Sequence, residues 1–287
     1  MRKKTLWIVT MAILCLVLYT VVASRMAEST NVILGGAEGT FVQSDSVSFQ
    51  DMTVTPAPVP TVDIWPKLTD ADFENKVYLQ IVNNDHLLTA SSDSEIEVEK
   101  IKGTSYMMFL SEYIDYVNDF VEAIRNAKDE NGEPYGFTPY IAAAYRNYSF
   151  QKHLFDSKAS QIAYEMTGGK TVDYTDPIYQ EAAEEAKKIV MVPGSSEHQL
   201  GLSIDIYDRN RQKAVYSDMD QEMYKWIDAH CAEYGFIKRY PTKKLLLTGW
   251  DESWHYRYVG KEVAKFVMEQ DICYEEFYAH YHPDFVY

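Results

Sequence analysis

Gly194-Ser195-Ser196-Glu197-His198-Gln199-Leu200-Gly201-Leu202-Ser203-Ile204-Asp205-Ile206 is the stretch on which the rest of the 287-residue chain turns. Leu200, Leu202, Ile204 and Ile206 alternate, the period of a strand with one buried face. Gly201, Ser203 and Asp205 then share the other face. His198 has the wrong parity to join Asp205 on a flat strand. A helix fails as well, because seven residues span roughly 10 Å of axis, too far for one shared ion. The two side chains meet only if the chain bends between them, and Gly201 is the residue that permits a bend.

A second stretch completes the chemistry: Glu252-Ser253-Trp254-His255-Tyr256-Arg257-Tyr258. Trp254, Tyr256 and Tyr258 alternate with His255 and Arg257, so it reads as a strand with His255 on its polar face. His198, Asp205 and His255 supply two imidazoles and a carboxylate. Three such ligands leave a fourth tetrahedral position open, the pattern of a catalytic rather than a structural zinc site. Nitrogen and oxygen donors suit Zn2+, one per chain, with another divalent ion as the alternative. Glu252, three residues before His255, is expected to act as a base toward water at the open position without being a ligand. The plainer alternatives are structural histidines and an acidic turn made by Asp251 and Glu252.

At these residues the chain resembles VanY-type D-alanyl-D-alanine carboxypeptidases, part of a zinc peptidase group that includes D,D-dipeptidases and L,D-carboxypeptidases. The resemblance rests on Ser196-x-His198-x-x-Gly201-x-x-x-Asp205 followed by Glu252-x-Trp254-His255. Tyr145-Arg146-x-Tyr148-x-x-Gln151, Tyr234-Gly235-Phe236-Ile237-x-Arg239-Tyr240-Pro241 and Arg257-Tyr258-Val259-Gly260 extend it in the family's order. One departure is Ser203, where the family usually has Ala.

The resemblance implies a small, mostly antiparallel sheet flanked by helices, with the zinc site in a cleft. It implies a hydrolase that takes the terminal D-alanine from peptidoglycan stem peptides, or an L,D-carboxypeptidase on tetrapeptide stems. A non-catalytic wall-binding module on the same fold is the alternative from another class. Arg146 is implied to bind substrate or stabilise the developing oxyanion. Gln151 is a weaker candidate for substrate contact. Ser196 is a candidate to hydrogen-bond the substrate carboxylate or a ligand, and Trp254 to wall the cleft. Arg239 and Arg257 are expected to orient nearby carboxylates.

Composition bounds the partners. The formal net charge is −16, which argues against binding nucleic acid or anionic lipid through a basic patch. Arg2-Lys3-Lys4 precedes an apolar run from Leu6 to Ala23, about 18 residues, the lower limit for a membrane span. The basic flank places the N-terminus in the cytoplasm and the remainder outside. Residues 1–23 are therefore expected to be a single-pass anchor, with a cleavable signal and a secreted protein as the alternative. Residues 24–62, rich in Ser, Thr, Gly and Pro, read as a linker. Residues 63–287 form the expected domain, read as a monomer. Cys231 and Cys273 are expected to be buried thiols, a disulfide being the alternative.

Within that domain the class is α+β, since helices and short strands mix without regular βαβ alternation. Strands are expected at Val77–Val82 and Tyr140–Tyr145. Helices are expected over Tyr106–Ala127, Ser149–Met166, Pro177–Val190 and Lys261–Met268. Ser217-x-x-Asp220 reads as a capping box opening a helix that Gly235 closes. His280-Tyr281-His282 reads as an extended surface tail.

Overall fold

A computed structural model describes residues 64–208 and 221–286. The expected anchor, the linker and the Ser217–Asp220 capping box lie outside them. The architecture is α+β, as expected. Four strands, β3 (Pro139–Ala143), β4 (Ser203–Asp208), β5 (Phe236–Tyr240) and β6 (Glu252–Tyr258), form one sheet. Their order is β3-β4-β6-β5 and every neighbouring pair is antiparallel. A separate two-stranded ladder joins β1 (Val98–Lys100) to β2 (Met108–Leu110).

The helices follow in chain order: α1 (Asp70–Asn75), α2 (Ile114–Arg125), α3 (Tyr148–Met166), α4 (Pro177–Ala186), α5 (Gln221–His230), α6 (Leu245–Thr248), α7 (Lys261–Glu269) and α8 (Tyr274–Tyr281). Their ends have local causes. The Asn147 side chain accepts from the Phe150 amide at the start of α3, and Asp176 accepts from Ile178 at the start of α4, where Pro177 occupies the first turn. Beyond α5 a 3-10 turn over Cys231–Tyr234 ends at Gly235, left-handed at φ 86°.

Strand parity sorts the sheet into two faces. Ile204 and Ile206 of β4, with Tyr256 and Tyr258 of β6, join Val117, Phe120, Val121 and Ile124 of α2 in the main core. A second cluster packs Ile237 of β5 with Val263 and Val267 of α7 and Phe277 of α8. The residues between, Asp205 on β4 and His255 on β6, are excluded from both apolar clusters. That exclusion lets a polar centre form beside a dry core.

Three expectations fail for physical reasons. Val77–Val82 is no strand: a 3-10 turn over Val77–Leu79 is followed by extended chain. Its carbonyls are taken by side chains, Tyr78 and Gln80 by Arg257 and Leu79 by the Tyr274 hydroxyl, so no ladder is needed. The Tyr106–Ala127 helix begins only at Ile114, because Leu110 pairs across to Val98 and its amide donates to Gly201. His280 and His282 are no extended tail. They lie at the end of α8, stacked on Trp65 and Tyr278 at 3.8 and 3.9 Å.

Cys231 and Cys273 are buried free thiols, and burial pushes both far above the ordinary thiol range. In native protein at pH 8, alkylation followed by peptide mapping should leave both unmodified. Both should label once denaturant is added; rapid native labelling of either would show that its packing has been misjudged.

Candidate metal centre and its cleft

The centre is assembled by one bend and one strand pairing. After Ser196 the chain makes a 3-10 turn over Glu197–Leu200 and leaves it at Gly201, left-handed at φ 69°. A Cβ at Gly201 would lie 3.3 Å from the Leu110 amide nitrogen, so the bend is also a close backbone approach. β4 then begins, and its Asp205 stands directly opposite His255 in the β4–β6 register. The turn delivers His198 and the ladder delivers His255. Asp205 Oδ1 lies 3.3 Å from His198 Nε2 and 3.0 Å from His255 Nδ1. One candidate ligand atom from each residue lies within 4.8 Å of the other two.

The polarity of the rings can be read from their partners. His198 Nδ1 lies 2.8 Å from the Ala144 carbonyl, which only accepts, so Nδ1 carries the proton and Nε2 presents its lone pair toward Asp205. Burial and the nearby Arg146 charge push His198 down to about 4. Burial would raise Asp205, but the two imidazoles hold its carboxyl well below the usual range. Burial would lower His255, yet the carboxylates of Asp205 and Glu197 beside it outweigh it and lift the ring to about 9. The cluster is thus a carboxylate and two imidazoles that attract positive charge in a buried place. Two nitrogens and one oxygen in that arrangement fit a zinc ion.

The three residues open into a cleft of about 410 Å³, also lined by Arg146, Gln151, Trp250 and Glu252. A regular strand would put Glu252 and His255, three residues apart, on opposite faces. Here the pairing steps from Lys238↔Tyr256 to Tyr240↔Glu252, two residues on β5 against four on β6. This irregularity returns Glu252 to the site, its Oε2 3.6 Å from His255 Nδ1. Burial raises the Glu252 pKa. Arg146 follows β3, its amide donating to the His198 carbonyl at 3.1 Å and its Nη2 to Ser196 Oγ at 3.2 Å. Its Nε is buried and has no partner among the described residues.

Gln151 donates from Nε2 to the Met191 carbonyl at 2.7 Å, and its buried Oε1 has no partner among the described residues. Ser196 is fully buried and braces Arg146. Trp254 is not among the residues lining the cleft. It stacks on Tyr207, ring centroids 6.1 Å apart, and Trp250 lines the cleft instead.

Behind the centre lies an ionic network. Glu197 meets Arg239 at 2.8 Å and Arg257 at 3.0 Å, and Arg239 also takes Glu275 in a two-point pair at 2.6 and 2.9 Å. All four side chains are buried. Removing one member of such a network leaves an unpaired buried charge, a cost of about 3–5 kcal/mol. The arginines were legible as carboxylate partners. Glu197 and Trp250 were not, because neighbours of a motif carry no periodic signal of their own.

A bent strand, a His–Asp–His cluster and an adjoining Arg and Glu define a hydrolytic metal-centre class. The chain belongs to the VanY D-alanyl-D-alanine carboxypeptidase family, whose family model matches residues 115–261. The D-alanyl-D-alanine carboxypeptidase of Enterococcus faecalis (strain ATCC 700802 / V583) is 34% identical over 205 residues, covering 71% of this chain and 66% of the relative, slightly under two thirds of its length. Among solved structures, a mutant of the vancomycin-resistance D,D-pentapeptidase VanY in complex with Zn(II) superposes with a TM-score of 0.53 at 32% identity. It covers 70% of this chain and 99% of its own. The LdcB LD-carboxypeptidase gives a TM-score of 0.55 at 26% identity, covering 70% and 85%.

Zinc added to metal-stripped protein should raise the denaturation midpoint. At free zinc about 100-fold over Kd the gain is about 2.7 kcal/mol. His255→Ala should abolish the gain; an undiminished zinc shift in that variant would place the ion elsewhere. Gly201→Ala forces a side chain into the left-handed region and should cost about 1–2 kcal/mol in urea unfolding.

Proposed function

We propose that this chain is a zinc-dependent D,D-carboxypeptidase that removes the C-terminal D-alanine from peptidoglycan stem peptides. The observation that carries the reading is the convergence of His198, Asp205 and His255 in a cleft shared with Glu252 and Arg146. His198, Asp205 and His255 would hold one zinc ion per chain. When bound, that ion supplies Lewis-acid polarisation of the scissile carbonyl and acidifies water.

The chain's own residues supply the rest. Glu252, raised in basicity by burial, takes a proton from the attacking water and returns it to the departing amine of D-alanine. Arg146, braced by Ser196 and with a spare Nε–H, offers its guanidinium to the substrate carboxylate or to the oxygen that gains charge. Gln151 Oε1 offers an acceptor to a substrate N–H. The basic-flanked apolar run at Leu6–Ala23 supports a membrane-anchored enzyme with its domain outside the cell. No helix among the described residues is long and apolar enough to cross a membrane.

The likeness to LdcB supports a second specificity, L,D-cleavage of the tetrapeptide, by the same chemistry. Zinc-loaded protein incubated with stem pentapeptide and tetrapeptide separates the two. D-Alanine released from the pentapeptide is the expected result; release from the tetrapeptide alone would reassign the enzyme as L,D. Neither peptide being cut by protein that holds zinc would exclude both. Glu252→Gln should lower kcat about 10²–10⁴-fold with zinc retained. Arg146→Ala should lower kcat/KM by about 10²–10³-fold.

A further inference from the structure

Two buried atoms at this centre, His255 Nε2 and Glu197 Oε2, have no hydrogen-bond partner among the described residues and lie 3.6 Å apart. Their side chains are 2% and 0% exposed, so bulk solvent does not reach them. The rest of Glu197 is committed. Oε1 accepts from Arg239 Nε at 2.8 Å and lies 3.0 Å from Arg257 Nη1 as an ion pair. Both guanidiniums are held from behind, Arg239 by Glu275 and Arg257 by the carbonyls of Tyr78, Gln80 and Tyr258. Glu197 cannot turn away, and Oε2 remains opposite the imidazole.

The geometry points to Glu197 as the residue that sets how His255 presents itself to the metal. Its Oε2, 3.6 Å away, is placed to take the Nε2 proton, which would leave Nδ1, the nitrogen beside Asp205, with its lone pair for the metal. A neutral imidazole has one donor and one acceptor nitrogen, so fixing one determines the other. His198 provides the internal parallel with the opposite tautomer: the Ala144 carbonyl holds Nδ1–H and Nε2 faces Asp205. A carboxylate behind a ligating histidine also raises the basicity of the ligating nitrogen. Glu197 touches neither substrate nor reacting atoms; it is a positioning residue. The role rests on the metal-centre reading above.

Glu197→Gln tests it. The two arginines claim the amide oxygen, which turns the NH2 group toward His255 Nε2 and sets two donors against each other. Glu275→Gln is the control, since it removes the same charge from the same network without reaching His255. Zinc affinity, measured by competition with a chromophoric chelator, should fall about 10–100-fold in Glu197→Gln. It should stay within about threefold of the original in Glu275→Gln, a tenth or less of the largest loss expected. An unchanged affinity in Glu197→Gln, or an equal loss in both variants, would overturn the assignment.

The tautomer is also readable without substitution. Long-range 1H–15N spectra of zinc-loaded, histidine-labelled protein should show His255 protonated at Nε2 and His198 at Nδ1. A proton on His255 Nδ1 would overturn the proposal even if neither variant folded. Absence of zinc binding by the unsubstituted protein would instead remove the metal centre itself, and this role with it.

Discussion

The centre depends on one cross-strand pair. Asp205 and His255 face each other across the β4–β6 ladder, which holds the carboxylate and the imidazole 3.0 Å apart. A one-residue slip in that ladder would replace them with apolar neighbours, since side chains alternate with period two. The register is pinned by the opposite face of the same strands, where Ile204, Ile206 and Tyr256 are buried against α2. The candidate metal ligands are thus placed by hydrophobic residues on the other face of the same strands.

The remaining groups reach the site through departures from regular structure. Gly201 bends the chain so that His198 returns over Asp205. The irregular β5–β6 pairing turns Glu252 back beside His255. Arg146 leaves β3 and is tied by its backbone to His198 and by its side chain to Ser196. Each irregular point carries a group of the candidate site, while regular ladder and helix supply the frame. Behind them, two arginines and two glutamates form a buried ionic layer whose charges compensate, so the acidic centre stands on a rigid support.

Much of this was legible beforehand. The strand with Ile204 and Ile206 buried, the need for a bend at Gly201 and the strand around His255 stand as expected, while Leu200 belongs to the turn and the strand begins only at Ser203. The helix opened by Asp176-Pro177 also stands as expected, starting at Pro177. Two of the errors share a cause. Val77–Val82 is apolar enough for a strand, but Arg257 and Tyr274 satisfy its backbone from far along the chain. Leu110 fits a helical stripe, but pairing with β1 and contact with Gly201 take it first. Long-range hydrogen bonds overrode a local period.

By itself the sequence determined which residue types could hold a metal, which strand faces were apolar and where a bend was required. These follow from side-chain chemistry and from periods of two and 3.6 residues. Only the tertiary structure decided that Glu252 rejoins His255 despite its parity, that Trp250 rather than Trp254 meets the cleft, and that Glu197 stands behind His255 between two arginines. Those outcomes depend on bulges and on contacts between residues tens of positions apart, and no local pattern encodes such a contact.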